Sequence, residues 1–175
     1  MFKSSLLTLV LGFAIAFSLS SCGGKGGAKN ENVYLNDFEA FYGFNEKVDK
    51  GKAHSGECYY AIDSTLEYSI GFIRKFNKIS SKKYKKVKFS AFVLLPAANS
   101  SVEMVIQVWD PKVTPLKVQS APVTGQIGIN KWTEVSLELP LTGNLYNPEN
   151  DLRCFFFNAN RNQIFVDDFK VELFE

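Results

Sequence analysis

Three groups of side chains have types and spacings that could do chemistry. Glu103, Gln107 and Trp109 share one parity of a β-compatible run, with Phe92 on the outward side of the run before it, so a flat aromatic stands near an amide and a carboxylate. Asp167, followed by Asp168, has the parity of Phe169, Val171 and Leu173. A carboxylate on the inward side of a strand must be paired, hydrogen-bonded or bound to a cation. Cys58 falls in phase with Tyr60 and Ile62, and Cys154 with Leu152 and Phe156, which puts both thiols on apolar faces. Much other chemistry is excluded. A single His rules out any site that needs two imidazoles, and three Cys cannot build a four-thiolate zinc site. His54 lies beside Ser55, but adjacency does not supply triad geometry, and no nucleophile elbow or phosphate loop is present. The chain is expected not to be an enzyme. Only the separation in space of two carboxylates would argue for glycoside hydrolysis.

The elements that must position these residues are strands. From Val33 onward no segment sustains helical periodicity, and short runs rich in Val, Ile, Phe and Tyr alternate with turn residues. The runs predict strands over 33–39, 57–63, 66–76, 84–95, 102–109, 132–139, 152–158 and 163–174. About eight strands in one domain predict an all-β sandwich. Inside it, Val87, Phe89, Ala91 and Val93 face the core, as do Met104, Ile106 and Val108. The 46% hydrophobic composition, with sixteen Phe and seven Tyr, suits a core built on aromatics.

The first 21 residues read as an address. Met1-Phe2-Lys3 is a short positive start, and residues 6–17 are an apolar run too short to span a bilayer comfortably. Leu19-Ser20-Ser21-Cys22-Gly23 then resembles the lipobox of bacterial lipoproteins. The resemblance implies cleavage before Cys22 and acylation of its thiol, with several acyl chains giving durable attachment to a lipid bilayer. The Gly-rich residues 23–32 read as a tether. Gly23, where an Asp would mark inner-membrane retention, favours the outer membrane; the periplasmic or surface face stays open. With Cys22 lipidated, Cys58 and Cys154 are the one pair left for a disulfide, which would add roughly 4–5 kcal/mol by the chain-entropy model. Two separate buried thiols are the alternative.

Four islands carry a second resemblance: Asn36-Asp37-Phe38-Glu39, His54-Ser55-Gly56, Lys131-Trp132-Thr133-Glu134-Val135 and Val166-Asp167-Asp168-Phe169. Together they resemble the galactose-binding-domain-like jelly-roll β-sandwich of carbohydrate-binding modules, particularly those similar to families 4, 9 and 22, over nearly all of residues 33–175. The resemblance implies non-catalytic glycan binding, with Trp109, Gln107, Glu103 and Phe92 as the ligand platform and Phe155 and Phe157, on the side opposite Cys154 and Phe156, as its apolar extension; Trp132, at a strand start, takes the place of a packing residue of the family and is expected in the core. It also implies a structural Ca²⁺ held by carboxylates of Glu39 and Asp167, with Asp168 as a further ligand and carbonyls around Ser55 and Gly56. The competing readings are that Asp167 accepts backbone N–H bonds, and that the domain is an adaptor holding another envelope protein.

Charge is distributed unevenly. The net charge is only +2, yet between Glu67 and Glu103 there is no acid and there are eight bases, from Arg74 to Lys88. The rest of the chain then has twelve bases against eighteen acids, a net of −6. The basic run reads either as a soluble hairpin tip or as a patch for anionic glycans or headgroups. Nucleic acid is not expected as a partner of an envelope protein.

Overall fold

A computed structural model describes residues 32–97, 102–112, 115–123 and 127–175; the apolar leader, Cys22 and residues 23–31 lie outside the described residues. The strands are β1 (Val33–Asn36), β2 (Val48–Lys50), β3 (Cys58–Ile62), β4 (Phe72–Lys75), β5 (Lys86–Leu94), β6 (Glu103–Trp109), β7 (Pro115–Pro122), β8 (Thr133–Pro140), β9 (Asp151–Phe157) and β10 (Ile164–Phe174). They form two antiparallel sheets. Sheet A has the order β2-β3-β10-β5-β8, with β1 also beside β10, and sheet B has the order β4-β9-β6-β7.

The inward faces follow the alternation. Val87, Phe89, Ala91 and Val93 of β5 are buried, as are Met104, Ile106 and Val108 of β6 and Leu152, Cys154 and Phe156 of β9. Phe89 joins the layers, with its ring 5.2 Å from Phe156 of sheet B and 4.6 Å from Phe169 of sheet A. Each of the Val, Leu, Ile, Phe and Met side chains among them contributes about 1.5–3 kcal/mol when fully buried.

The sequence reading of about eight strands becomes ten, for local reasons. β7 is an edge strand bounded by Pro115 and Pro122, which an edge tolerates because one row of its N–H groups needs no partner strand. β2 has only three residues, too few for a period. The run expected to be one strand over 66–76 is a strand only at Phe72–Lys75, where it enters the short helix α1 (Phe76–Ile79). At the start of the chain, Asn36 Oδ1 accepts the N–H of Phe38, whose backbone is left-handed at φ 63°, so β1 stops at Asn36 and a 3-10 turn over Glu39–Phe41 follows.

The parity of Asp167 is also corrected. Val166 pairs with Val93 and Tyr60 and belongs to the core, so Asp167, opposite Phe92, emerges on the outer side of sheet A. A bulge between Asp167 and Lys170, with Asp168 at φ 48°, then restores Phe169, Val171 and Leu173 to the core. Strict alternation cannot register the extra residue.

Cys58 and Cys154 are both free and buried, so of the two readings left open the structure has the separate buried thiols and not the disulfide. Cys58 starts β3 in sheet A and Cys154 is central in sheet B. Packed sheets lie about 10 Å apart, beyond the roughly 7 Å between Cα atoms that a disulfide spans. Burial pushes both thiols up, and the Glu39 carboxylate adds to this at Cys58.

The turn after β3 is fastened by charge. Asp63 accepts from Lys47 Nζ at 2.8 Å and from the hydroxyl and N–H of Thr65, and its carboxyl is held down to about 2 from the ordinary 3.8, with the Lys47 bond the largest cause. A depressed carboxyl stabilises the fold fully above its unfolded value and loses that contribution as pH falls through its folded value. We therefore expect the melting temperatures of wild type and Asp63→Asn to differ at neutral pH and to converge as pH falls from 3.8 to about 2. A gap that persists unchanged through that window would remove the assignment.

Candidate functional site

The two outer faces of the sandwich differ in what covers them. On sheet A the segment 51–57 lies over the strands, and three carboxylates hold it. Asp167 Oδ2 accepts the N–H groups of His54 (2.7 Å) and Ser55 (3.0 Å), while Oδ1 accepts that of Asp168 (2.7 Å). Asp168 receives the Ser55 hydroxyl and faces His54 Nδ1, each at 2.8 Å. Glu39 Oε1 accepts the N–H groups of Glu57 and Cys58, both at 2.7 Å. Burial pushes the Asp167 carboxyl above the usual range against the pull of its N–H donors, whereas the Cys58 N–H bond holds Glu39 below it.

This clasp accounts for the residues expected to hold Ca²⁺. Glu39, Ser55, Gly56, Asp167 and Asp168 are indeed brought together, and the carboxylates accept backbone N–H groups and the Ser55 hydroxyl. Among the described residues no three His, Cys, Asp or Glu side chains converge as a metal site. The donor set does not fit a hard-cation shell, which consists of oxygens alone. Gly56 is required for a different reason: at φ +59°, a Cβ there would stand 2.4 Å from Glu39 Oε1.

Phe92 belongs to this clasp. Its ring stacks under His54 at 3.4 Å and 10°, on the opposite sheet from Trp109. The expected grouping of Phe92 with Trp109, Gln107 and Glu103 is thus corrected: consecutive strands β5 and β6 lie in different sheets, so their outward faces point apart. Trp132 is half-buried rather than core. Its Nε1 donates to the Lys52 carbonyl at 2.8 Å and its ring meets the edge of His54, propping the same segment.

On sheet B the outer face is a groove. Strand register arranges it in rows: Phe157 beside Glu103, then Phe155 beside Val105, then Ile73, Arg153, Gln107 and Val118, then Lys75, Asp151 and Trp109. Two adjoining depressions of about 350 and 270 Å³ share Tyr68, Gln107 and Phe155. Tyr68 completes a ring cluster, 5.8 Å from Phe155 and 5.2 Å from Phe157. It is 55% exposed, so the cluster opens to solvent.

The segment before β4 positions Tyr68. Ser69 donates its N–H to the Phe156 carbonyl and takes the Phe156 N–H on its hydroxyl, continuing the ladder through a side chain. Gly71 allows the close approach, since a Cβ there would meet the Cys154 carbonyl at 2.6 Å and Phe155 Cβ at 3.0 Å. At the other end, the Arg153 guanidinium lies 4.4 Å over the Trp109 ring and bonds Asp151 at 3.3 Å. Its Nε is buried without a hydrogen-bond partner among the described residues.

The structure therefore keeps Glu103, Gln107 and Trp109 on one face, with Trp109 roofed by Arg153 rather than bare. Sequence reasoning missed Arg153 and Tyr68 as members. The parity of Phe155 and Phe157 carried the signal for Arg153. Tyr68 had none, because it joins the face by a single bridge to Phe157 outside any regular strand.

No protein-family model matches the sequence, and no curated protein matches it. Solved structures do. The fold is similar to the C-terminal family 22 carbohydrate-binding module of Clostridium thermocellum xylanase 10B, with TM-score 0.53 and 12% identity over 82% of this chain and 94% of that module. It is also similar to the N-terminal CBM22-1 and GH10 modules of the same organism's endo-1,4-β-D-xylanase 10B, complexed with xylohexaose, with TM-score 0.51 and 11% identity over 82% of this chain. This chain spans 25% of that longer one. At such identities the likeness is one of fold: a two-sheet sandwich of the carbohydrate-binding-module kind.

If the clasp is built from amides, Gly56→Ala should cost about 1–3 kcal/mol through backbone strain and the Glu39 clash, while EDTA and added Ca²⁺ should leave the wild-type melting temperature unchanged. A calcium-dependent rise in melting temperature would show that the carboxylates serve a cation instead.

Proposed function

We propose that the protein is a lipid-anchored cell-envelope lipoprotein that binds a glycan, without chemistry, in the groove on the outer face of sheet B. The observation that carries this is the pairing along one groove of an exposed ring cluster with polar groups. Tyr68 and Phe155 offer flat faces to the C–H side of a sugar ring, and the Gln107 amide and the terminal nitrogens of Arg153 suit its hydroxyls. Arg153 is fixed over Trp109 before any ligand arrives, which lowers the ordering cost of binding. The fold neighbours support the ligand class, since one is a carbohydrate-binding module studied for residues in its cleft and another was solved with xylohexaose. Xylo-oligosaccharides are therefore the first ligands to test.

A non-catalytic reading agrees with the spacing of the acids. Glu103 and Asp151 are the carboxylates on this face, at opposite ends of β6, because Asp151 pairs with Trp109. Six residues of strand place them about 20 Å apart, whereas paired glycosidase carboxylates stand roughly 5–9.5 Å apart. Attachment through acylated Cys22, with delivery to the outer membrane, rests on the lipobox resemblance.

The adaptor reading draws on exposed Ile73 and Val118, which flank Arg153 and Gln107 on the same face and would suit a protein partner. A glycan array followed by calorimetry separates the two. We expect one polysaccharide class to bind, Phe155→Ala to weaken it at least about tenfold, and Trp109→Ala to weaken it less, by releasing Arg153. Binding to no glycan, or binding indifferent to Phe155, would leave the adaptor reading standing.

A further inference from the structure

The basic run between Arg74 and Lys88 occupies one pole of the sandwich, and the chain leaves the domain toward Cys22 at that same pole. Asn32 is fixed there: its side-chain oxygen accepts the Tyr84 hydroxyl at 2.8 Å and its carbonyl accepts the Leu173 N–H at 2.8 Å. The loop from Ser80 to Lys85 is seated against the last strand, with the Lys85 N–H on the Phe174 carbonyl, and against Tyr146, whose hydroxyl bonds the Lys82 carbonyl. A depression of about 170 Å³ opens at the chain exit, lined by Asn32, Val33 and Ile79, with Arg74 and Lys78 among its walls.

The acids at this pole are largely engaged. Glu149 pairs with Lys75, Glu175 with Lys82 and Glu138 with Lys86, and Lys88 stands directly between Glu138 and Glu172 in the sheet. Arg74, Lys78, Lys83 and Lys85 make no ion pair within 4 Å among the described residues and are exposed. Val33 and Phe174, 36% and 39% exposed, add apolar surface beside them.

We infer that this pole docks on the anionic phospholipid headgroups of the membrane to which the chain is attached. Cationic side chains surrounding the exit point of a tether suit a negatively charged surface, where each contributes roughly fivefold in affinity. Nine residues separate Cys22 from Asn32, and even fully extended they reach only about 35 Å. The pole is therefore held within reach of the headgroups. Docking would also orient the groove of sheet B, with the Lys75 and Trp109 row toward the membrane and the Tyr68 cluster directed away from it. The inference rests on the anchoring reading for the location of the membrane, but the surface itself does not depend on an acyl chain.

The test uses the chain from residue 22 onward, which contains every described strand, with Cys22→Ser so that no acyl chain is present. Vesicles of equal parts phosphatidylglycerol and phosphatidylcholine are sedimented with it at low salt, beside vesicles of phosphatidylcholine alone. We expect binding to the anionic vesicles only, weakening as salt is added. The quadruple variant Arg74→Gln, Lys78→Gln, Lys83→Gln, Lys85→Gln should bind at least about twentyfold more weakly. A variant of equal charge change elsewhere, Lys50→Gln, Lys52→Gln, Lys131→Gln, Arg161→Gln, should bind as wild type does. Equal binding to neutral vesicles, or equal loss in both variants, would overturn the inference, as would tighter binding to heparin than to the vesicles, which would make the partner an anionic glycan. Acylation is read separately, by labelled palmitate incorporation at Cys22, so the two proposals fail independently.

Discussion

Asp167 places a carboxylate on the outer side of sheet A, fully buried, where the N–H groups of His54, Ser55 and Asp168 converge on it. The rest of the sandwich is organised around that point. The bulge at Asp167 and Asp168 divides β10 into two halves, the first paired with β3 and the second with β1, while β5 runs along the other side of both. One strand thereby joins the start of the described chain, the middle and the C-terminal region. A buried carboxylate would be costly if unpaired; here the same group that costs desolvation fixes a segment more than a hundred residues away in sequence.

The clasp also determines which face is available. Because it draws the segment 51–57 over sheet A, His54 covers Phe92, and Trp132 supports the cover through Lys52. Sheet B has no corresponding cover among the described residues, and Phe155, Arg153 and Gln107 line an open groove there. The asymmetry between a closed sheet and an open one comes from three carboxylates, and those carboxylates lie in sequence islands that resemble carbohydrate-binding modules. In this structure the islands fasten the segment 51–57 to sheet A, so they say little about the ligand.

The strand cores, the class of fold and the inward sets of β5, β6 and β9 were legible in the sequence, because apolar alternation is a local property that burial enforces on every strand. Three of the four residues expected on one platform, Glu103, Gln107 and Trp109, were legible for the same reason, since they lie on a single strand. Phe92 was not, because parity gives the side of a strand but not the sheet to which that strand belongs. Asp167 failed in a related way: its burial was foreseen, but the bulge shifted it to the other side of the sheet, where the N–H groups of His54, Ser55 and Asp168 meet it.

The sequence by itself determined what each strand buries, how unevenly charge is distributed, and which residue types could reach a ligand. Tertiary structure alone decided the relations between strands. It separated Cys58 from Cys154 into different sheets, brought Tyr68 and Arg153 to the face of Gln107, and set the basic run beside Asn32. The physical reason is that side-chain alternation is set by each strand's own backbone geometry, whereas strand order and bulges are set by hydrogen bonds between segments far apart in the chain.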